Sequence, residues 1–131
     1  MRRILLDTSA YSAFMRGSEA TGAAVREADE IHVTPVVLGE LRAGFMGGRQ
    51  RKKNESELGD FMESPRVVVD DIDEETASRY AEIVESLRAA GRPVPANDAW
   101  IAASAMQHGL VVVTSDPHFG WIPQILSETT G

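Results

Sequence analysis

Four carboxylates sit at the edges of apolar segments: Asp7, Glu40, Asp98 and Asp116. Asp7 ends the run Ile4-Leu5-Leu6, and Asp116 comes shortly after Leu110 to Val113. Glu40 lies in a segment that opens at Thr34-Pro35, and Asp98 precedes the apolar stretch Ala99 to Met106. Acidic side chains are seldom placed against a core without a partner. If a fold gathers them, their repulsion calls for protons or a divalent cation. The chain has no Cys, so the ligands would all be oxygen, which suits a hard ion such as Mg²⁺ or Mn²⁺. Such an ion lowers the pKa of bound water and clamps a phosphate, and phosphodiester hydrolysis needs both.

The elements that must position these acids follow from apolar period and capping chemistry. Arg3 to Leu6 reads as a short buried strand, followed by a helix to about Met15 that Asp7, Thr8 or Ser9 can cap and Gly17 ends. Glu19 to Ala28 reads as a helix and Ile31 to Val33 as a strand. Thr34-Pro35 combines a capping hydroxyl with proline at the first helical position. The helix it starts carries Val37, Leu41 and Phe45 on one face and stops at Gly47-Gly48. Residues 49 to 63 form a charged helix with Leu58, Phe61 and Met62 on its apolar side. Val67 to Val69 is a strand, and Asp73 caps a long helix carrying Ala77, Tyr80, Ala81, Val84 and Leu87, closed by Gly91. After a proline-containing loop, Asn97 or Asp98 caps a nearly all-apolar, and therefore buried, helix that ends at His108-Gly109. Leu110 to Val113 is a strand, Ser115-Asp116-Pro117 a turn, and Gln124-Ile125 lies near one last strand.

Short apolar strands alternating with helices imply an α/β fold with a parallel sheet covered on both faces. Sites in such folds lie beyond the carboxyl ends of the strands, where Asp7 and Asp116 are both expected. The 131 residues are expected to form a single domain, 1–131, with no repeat or linker. The N-terminal apolar run is too short for a signal peptide, and no segment approaches the roughly 20 apolar residues of a membrane span. With the absence of Cys, this fits a cytoplasmic protein.

The net charge of −7 and the isoelectric point near 4.9 weigh against a nucleic-acid partner. Decomposed, the sum is less adverse. Setting the four candidate acids aside from the 20 leaves 16 acids against 13 bases. One or two bound divalent ions would put positive charge where a phosphate would sit. The bases are also uneven: Arg49, Arg51, Lys52 and Lys53 cluster, with Arg42 upstream. This cluster could contact an RNA backbone or dock an acidic protein segment, although a solvated helix face would carry the same charges.

Each acid alone has a plain structural explanation: a cap for Asp7, a surface position for Glu40, a helix-dipole contact for Asp98 and a turn for Asp116. Order and spacing make the set specific. Leu6-Asp7-Thr8-Ser9, Glu40-Leu41-Arg42-Ala43-Gly44, Asn97-Asp98-Ala99-Trp100-Ile101-Ala102-Ala103 and Val113-Thr114-Ser115-Asp116 with Phe119 together resemble the PIN-domain family. The likeness is strongest to the VapC-type toxins of bacterial toxin–antitoxin pairs and spans essentially the whole chain. It implies a three-layer α/β/α sandwich around a parallel sheet of four to five strands. It further implies a Mg²⁺- or Mn²⁺-dependent endoribonuclease, homodimeric and silenced by a cognate antitoxin, whose cleavage leaves a 5′-phosphate and a 3′-hydroxyl. Asp7, Glu40, Asp98 and Asp116 match the acidic quartet, and Thr8, Ser9, Asn97, Thr114 and Ser115 would support it. The acidic net charge departs from what an RNA-binding enzyme would carry.

Other patterns compete less well. Counted from Asp71, acids fall at EF-hand positions 1, 3, 5 and 12, but Thr76 stands where the loop requires Gly. His32, His108 and His118 lack metal-ligand spacing. Trp100 reads as core, and Trp121 as core or dimer interface. An early Asp-Thr is shared with haloacid-dehalogenase-like phosphatases, which need a second Asp where this chain has Ser9. The remaining alternatives are a nuclease of RNA processing outside any toxin pair and a non-catalytic PIN-like binding module. A degenerate module is expected to lose one or more of the acids, and all four are present.

Overall fold

The computed structural model describes residues 1–130. Strands β1 (Arg3–Leu6), β2 (Glu30–Val33), β3 (Val67–Val69), β4 (Val111–Thr114) and β5 (Leu126–Thr129) form one sheet in the order β3-β2-β1-β4-β5, with every pairing parallel. Six helices connect them: α1 (Thr8–Met15), α2 (Glu19–Glu27), α3 (Pro35–Met46), α4 (Arg51–Met62), α5 (Glu74–Ala89) and α6 (Ala96–His108). A short 3-10 helix, Pro117–Trp121, precedes β5. Consecutive residues of the central strands are buried, among them Ile4, Leu5 and Leu6, or Val112 and Val113, so helices cover both faces. This is the expected α/β sandwich. No helix among the described residues is long and apolar enough to cross a membrane.

The strand order reverses beside β1: β2 lies on one side and β4 on the other. The crevice at such a reversal, outside the carboxyl ends of the strands, is where open α/β sheets bind ligands. Leu6 pairs with Val113 at that edge, so the next residues of the two strands emerge together.

Two boundaries and one buried face differ from the sequence reading. Helix α6 starts at Ala96 with Pro95 in the N-cap position, so Asn97 and Asp98 occupy its first turn instead of capping it. Proline's fixed φ suits the chain entering a helix. Helix α5 buries Thr76, Ile83 and Leu87, while Ala77 and Ala81 are exposed. Thr76 can be buried because Asp73 and its own hydroxyl complete a capping box and Gln107 provides a further partner. The last strand lies at Leu126–Thr129, beyond Gln124-Ile125; it is a polar edge strand with only Leu126 apolar and has no hydrophobic run to mark it.

Candidate active site

Asp7 leaves β1 as the N-cap of α1: its Oδ1 accepts the Ala10 amide at 2.8 Å. The side chain is buried, and a buried carboxylate needs donors. Two hydroxyls supply them. Thr114, the last residue of β4, donates to Asp7 Oδ2 at 2.6 Å, and Ser9 donates to Oδ1 at 2.9 Å. Each hydroxyl is itself held by a backbone amide. Asp116 N donates to Thr114 Oγ1 at 2.9 Å, and Ser115 N donates to Ser9 Oγ at 3.0 Å. A hydroxyl that accepts from an amide turns its own proton elsewhere, here toward Asp7. The turn after β4 thereby fixes the acid at the end of β1. Burial raises the Asp7 carboxyl above its ordinary pKa, opposed by these hydrogen bonds, and the charge of Asp116 adds to the rise.

Glu40 approaches from the middle of α3. Thr8 donates to its Oε1 at 2.6 Å, and Asn97 of α6 donates to its Oε2 at 3.2 Å. The Glu40 carboxylate thus bridges α1 and α6. Asp116 accepts the His118 amide at 2.9 Å and pairs with His118 Nδ1 at the same distance.

Asp98 is half-buried in the first turn of α6, and among the described residues no hydrogen bond stabilises its carboxylate. Its pKa is pushed up to about 6, first by burial and then by the charges of Asp116, Asp7 and Glu40, with His118 acting in the opposite sense. One acid thus feels all three others, so the structure brings the four sequence-selected carboxylates into one electrostatic neighbourhood. All five supporting residues lie there too: Thr8, Ser9, Asn97, Thr114 and Ser115.

Among the described residues, no group of three or more His, Cys, Asp or Glu is gathered tightly enough to enclose a metal ion. Asp7, Glu40 and Asp116 accept hydrogen bonds from protein donors. The donor set nevertheless fits a hard divalent cation in kind: oxygen ligands only, mutual repulsion, and in Asp98 a half-buried acid whose carboxylate receives no hydrogen bond among the described residues.

Among the described residues, the bases of the cluster make other ion pairs or none. Arg42 pairs with Glu55 at 3.6 Å, while Arg49 is exposed ahead of α4 and Arg51, Lys52 and Lys53 are exposed in its first turn. Among the described residues, no hydrogen bond or ion pair joins these bases to the four acids. Trp100 is not in the buried core: it is half-buried and stacks on Tyr80 with ring centroids 4.1 Å apart. His118 lacks metal-ligand spacing and joins the site through the tight turn after Asp116. His32 pairs with Asp70 at 2.9 Å and Glu30 at 2.8 Å, fastening β2 to the end of β3. The acidic run from Asp70 is likewise accounted for, with Asp73 capping α5.

Comparison with known proteins agrees with this architecture. Over 130 residues the chain is 35% identical to Ribonuclease VapC4 of Mycobacterium tuberculosis, covering 95% of each protein. It is 30% identical to Ribonuclease VapC5 of the same organism over 88% of this chain and 84% of that one. The DNA-bound VapBC structure from Salmonella typhimurium superposes with a TM-score of 0.86 at 27% identity, covering 98% of both chains. The PIN domain model matches residues 4–123, a span that begins in β1, runs past the 3-10 helix and contains all four acids. The chain belongs to the PIN-domain family.

Proposed function

We propose that this protein is a metal-dependent endoribonuclease acting as the toxin of a toxin–antitoxin pair, in the cytoplasm and as a homodimer. The observation that carries the reading is the convergence of charge on Asp98 from Asp7, Glu40 and Asp116. So much like charge at a sheet switch point is costly, and a cation that binds there relieves the cost. The relatives' names supply the reaction class and the partner: two are ribonucleases, and solved neighbours include VapBC complexes from several bacteria.

Asp7, Asp98 and Asp116 would hold one Mg²⁺ or Mn²⁺, and Glu40 would complete a second site or orient the attacking water. The bound ion supplies a more acidic water and neutralises charge on the scissile phosphate. The protein's own part is positional. Ser9 and Thr114 hold Asp7 in one rotamer and keep it an acceptor. Thr8 and Asn97 hold Glu40 from opposite sides, so that one of its oxygens can take a proton from water as a P–O bond forms. The P–O3′ bond then breaks, leaving a 5′-phosphate, and the 3′-oxygen takes up a proton. The antitoxin and the RNA are the two partners, and the bases from Arg42 to Lys53 are candidate contacts for either.

The test is cleavage of a panel of structured RNAs, tRNAs and ribosomal fragments included, with Mg²⁺ or Mn²⁺, with EDTA, and with Asp98→Asn. Metal-dependent cleavage that disappears in the variant is the expected result. A folded, metal-binding protein that cuts no RNA, or an active Asp98→Asn, overturns the reading.

A further inference from the structure

An acidic chain that cleaves RNA must offer the polyanion a foothold beside its carboxylates. His118 lies against one of the four, its Nδ1 2.9 Å from Asp116 Oδ1. Its imidazole meets Trp121 edge-on, centroids 4.6 Å apart at 63°. Arg92 places its guanidinium 5.4 Å from the centre of the same indole. All three side chains are exposed; Trp121 keeps 40% of its surface in water.

The backbone on both sides of the cluster is constrained. Gly91, at φ +68°, ends α5 in the left-handed conformation. The Gly91 amide then donates to Arg88 O at 3.1 Å and the Arg92 amide to Leu87 O at 2.9 Å, which together make a Schellman stop. Pro93 and Pro95 stiffen the three residues between Arg92 and α6, whose first turn carries Asp98. On the other side, Trp121 and His118 share a 3-10 helix whose N-cap is Asp116. Both arms of the cluster are therefore tied to quartet acids by a few residues of constrained backbone. An exposed cation–π pair contributes only about 0.5–1 kcal/mol, a small return for leaving an indole so open. Nucleic-acid channels combine the same parts, an aromatic face for an unstacked base and cations for its phosphates.

We propose that Trp121, Arg92 and His118 form a subsite for one unpaired nucleotide of single-stranded RNA flanking the scissile phosphate. The base stacks on Trp121, and Arg92 takes the adjoining phosphate, with His118 between it and the acids. This inference rests on the ribonuclease reading. It places the RNA path on the side of the 3-10 helix, and the bases of α4 are not needed for it.

The test measures binding of a labelled, unstructured oligoribonucleotide by fluorescence anisotropy, in the Asp98→Asn background so that the probe stays intact. Adding Trp121→Ala is expected to weaken binding about 10-fold, within the range of one base–aromatic stack, while Trp121→Phe keeps most of the affinity. Adding Arg92→Gln is expected to lower the slope of log affinity against log salt by about 0.7, one phosphate contact. In the active background, Trp121→Ala should raise KM more than it lowers kcat and leave the Mg²⁺-induced thermal shift unchanged. If Trp121→Ala and Arg92→Gln bind the probe like their parent while the wild type still cleaves RNA, the subsite is wrong and the nuclease reading stands. If the wild type neither binds nor cleaves RNA, both fall.

Discussion

The hydroxyl of Thr114 lies 2.6 Å from Asp7 Oδ2, across the seam between β4 and β1, and it is the point at which the two halves of the sheet fix each other's chemistry. Thr114 is fully buried, so neither partner can turn to water for a substitute. Thr114→Val keeps shape and β-propensity but leaves the Asp7 carboxylate short of a donor and the Asp116 amide without its acceptor. The expected cost is roughly 1–3 kcal/mol of stability, the penalty for stranding a buried polar partner. Thr114→Ser should recover most of it. Denaturant titration of the three proteins decides: equal stability of Val and wild type would remove the hydroxyl from the account.

Asp98 makes an opposite prediction, because its charge is a burden to the metal-free fold. Its carboxyl is raised from 3.8 to about 6. The folded chain therefore holds a proton that the unfolded chain has released between those values, and stability falls as pH rises through that window. In EDTA, wild type should lose more stability than Asp98→Asn between about pH 4 and pH 6, and Asp98→Asn should melt higher at pH 7, roughly 2–4 °C for a change near 1 kcal/mol. Adding Mg²⁺ should raise the melting temperature of wild type and do little for the variant. Calorimetry in EDTA and in Mg²⁺ checks both signs without reference to cleavage. A wild type that melts higher than the variant in EDTA would mean that the four acids do not repel as their placement implies.

Asn97 separates positioning from ligation. It is exposed, and its amide reaches Glu40 Oε2 at 3.2 Å. Asn97→Ala should change stability by less than about 0.5 kcal/mol, as exposed substitutions do. It should lower kcat more than it raises KM, because Glu40 keeps only the Thr8 bond. Asn97→Asp adds a fifth acid beside Glu40 and should raise the metal concentration needed for half-maximal activity. Metal titrations of activity for the two variants tell a positioning role from a neutral surface contact.

Much of this site was legible because it sits where chain chemistry is simplest. Asp7 and Asp116 follow apolar strands, so a parallel sheet must carry them to one edge. Asp98 heads a helix too apolar to lie anywhere but inside. The Thr34-Pro35 start fixed the register of α3 and hence Glu40. Contacts that depend on tertiary placement were harder to read. His118 looked isolated because its partner, Asp116, is reached through a 3-10 turn and not through helical spacing. The Arg92–Trp121 contact joins residues far apart in sequence, and nothing local marks it. In α5, the exposed Ala77 and Ala81 imitate a buried stripe, while the buried Thr76 has a polar side chain that its capping box and Gln107 satisfy. Strand β5 has almost no apolar residue and is held by pairing with β4 along Val111 to Thr114.

The first turn of α4 carries Arg51, Lys52 and Lys53 and no acid, and its N-cap residue, Gln50, makes no side-chain capping bond. Positive charge at a helix N-terminus opposes the dipole, at about 0.3–1 kcal/mol for each residue in the first turn. Lys52→Glu and Lys53→Glu should therefore stabilise the isolated protein, and the gain should shrink as salt rises. If these bases serve an acidic partner, the same substitutions should weaken its binding. RNA and antitoxin are distinguishable here. Binding of a single-stranded oligoribonucleotide should be little changed if the path runs past Trp121, whereas antitoxin affinity should fall. A double variant that is more stable and binds both partners as the wild type does would leave the α4 bases as a solvated face. One that loses RNA affinity and keeps the antitoxin would move the RNA path to α4.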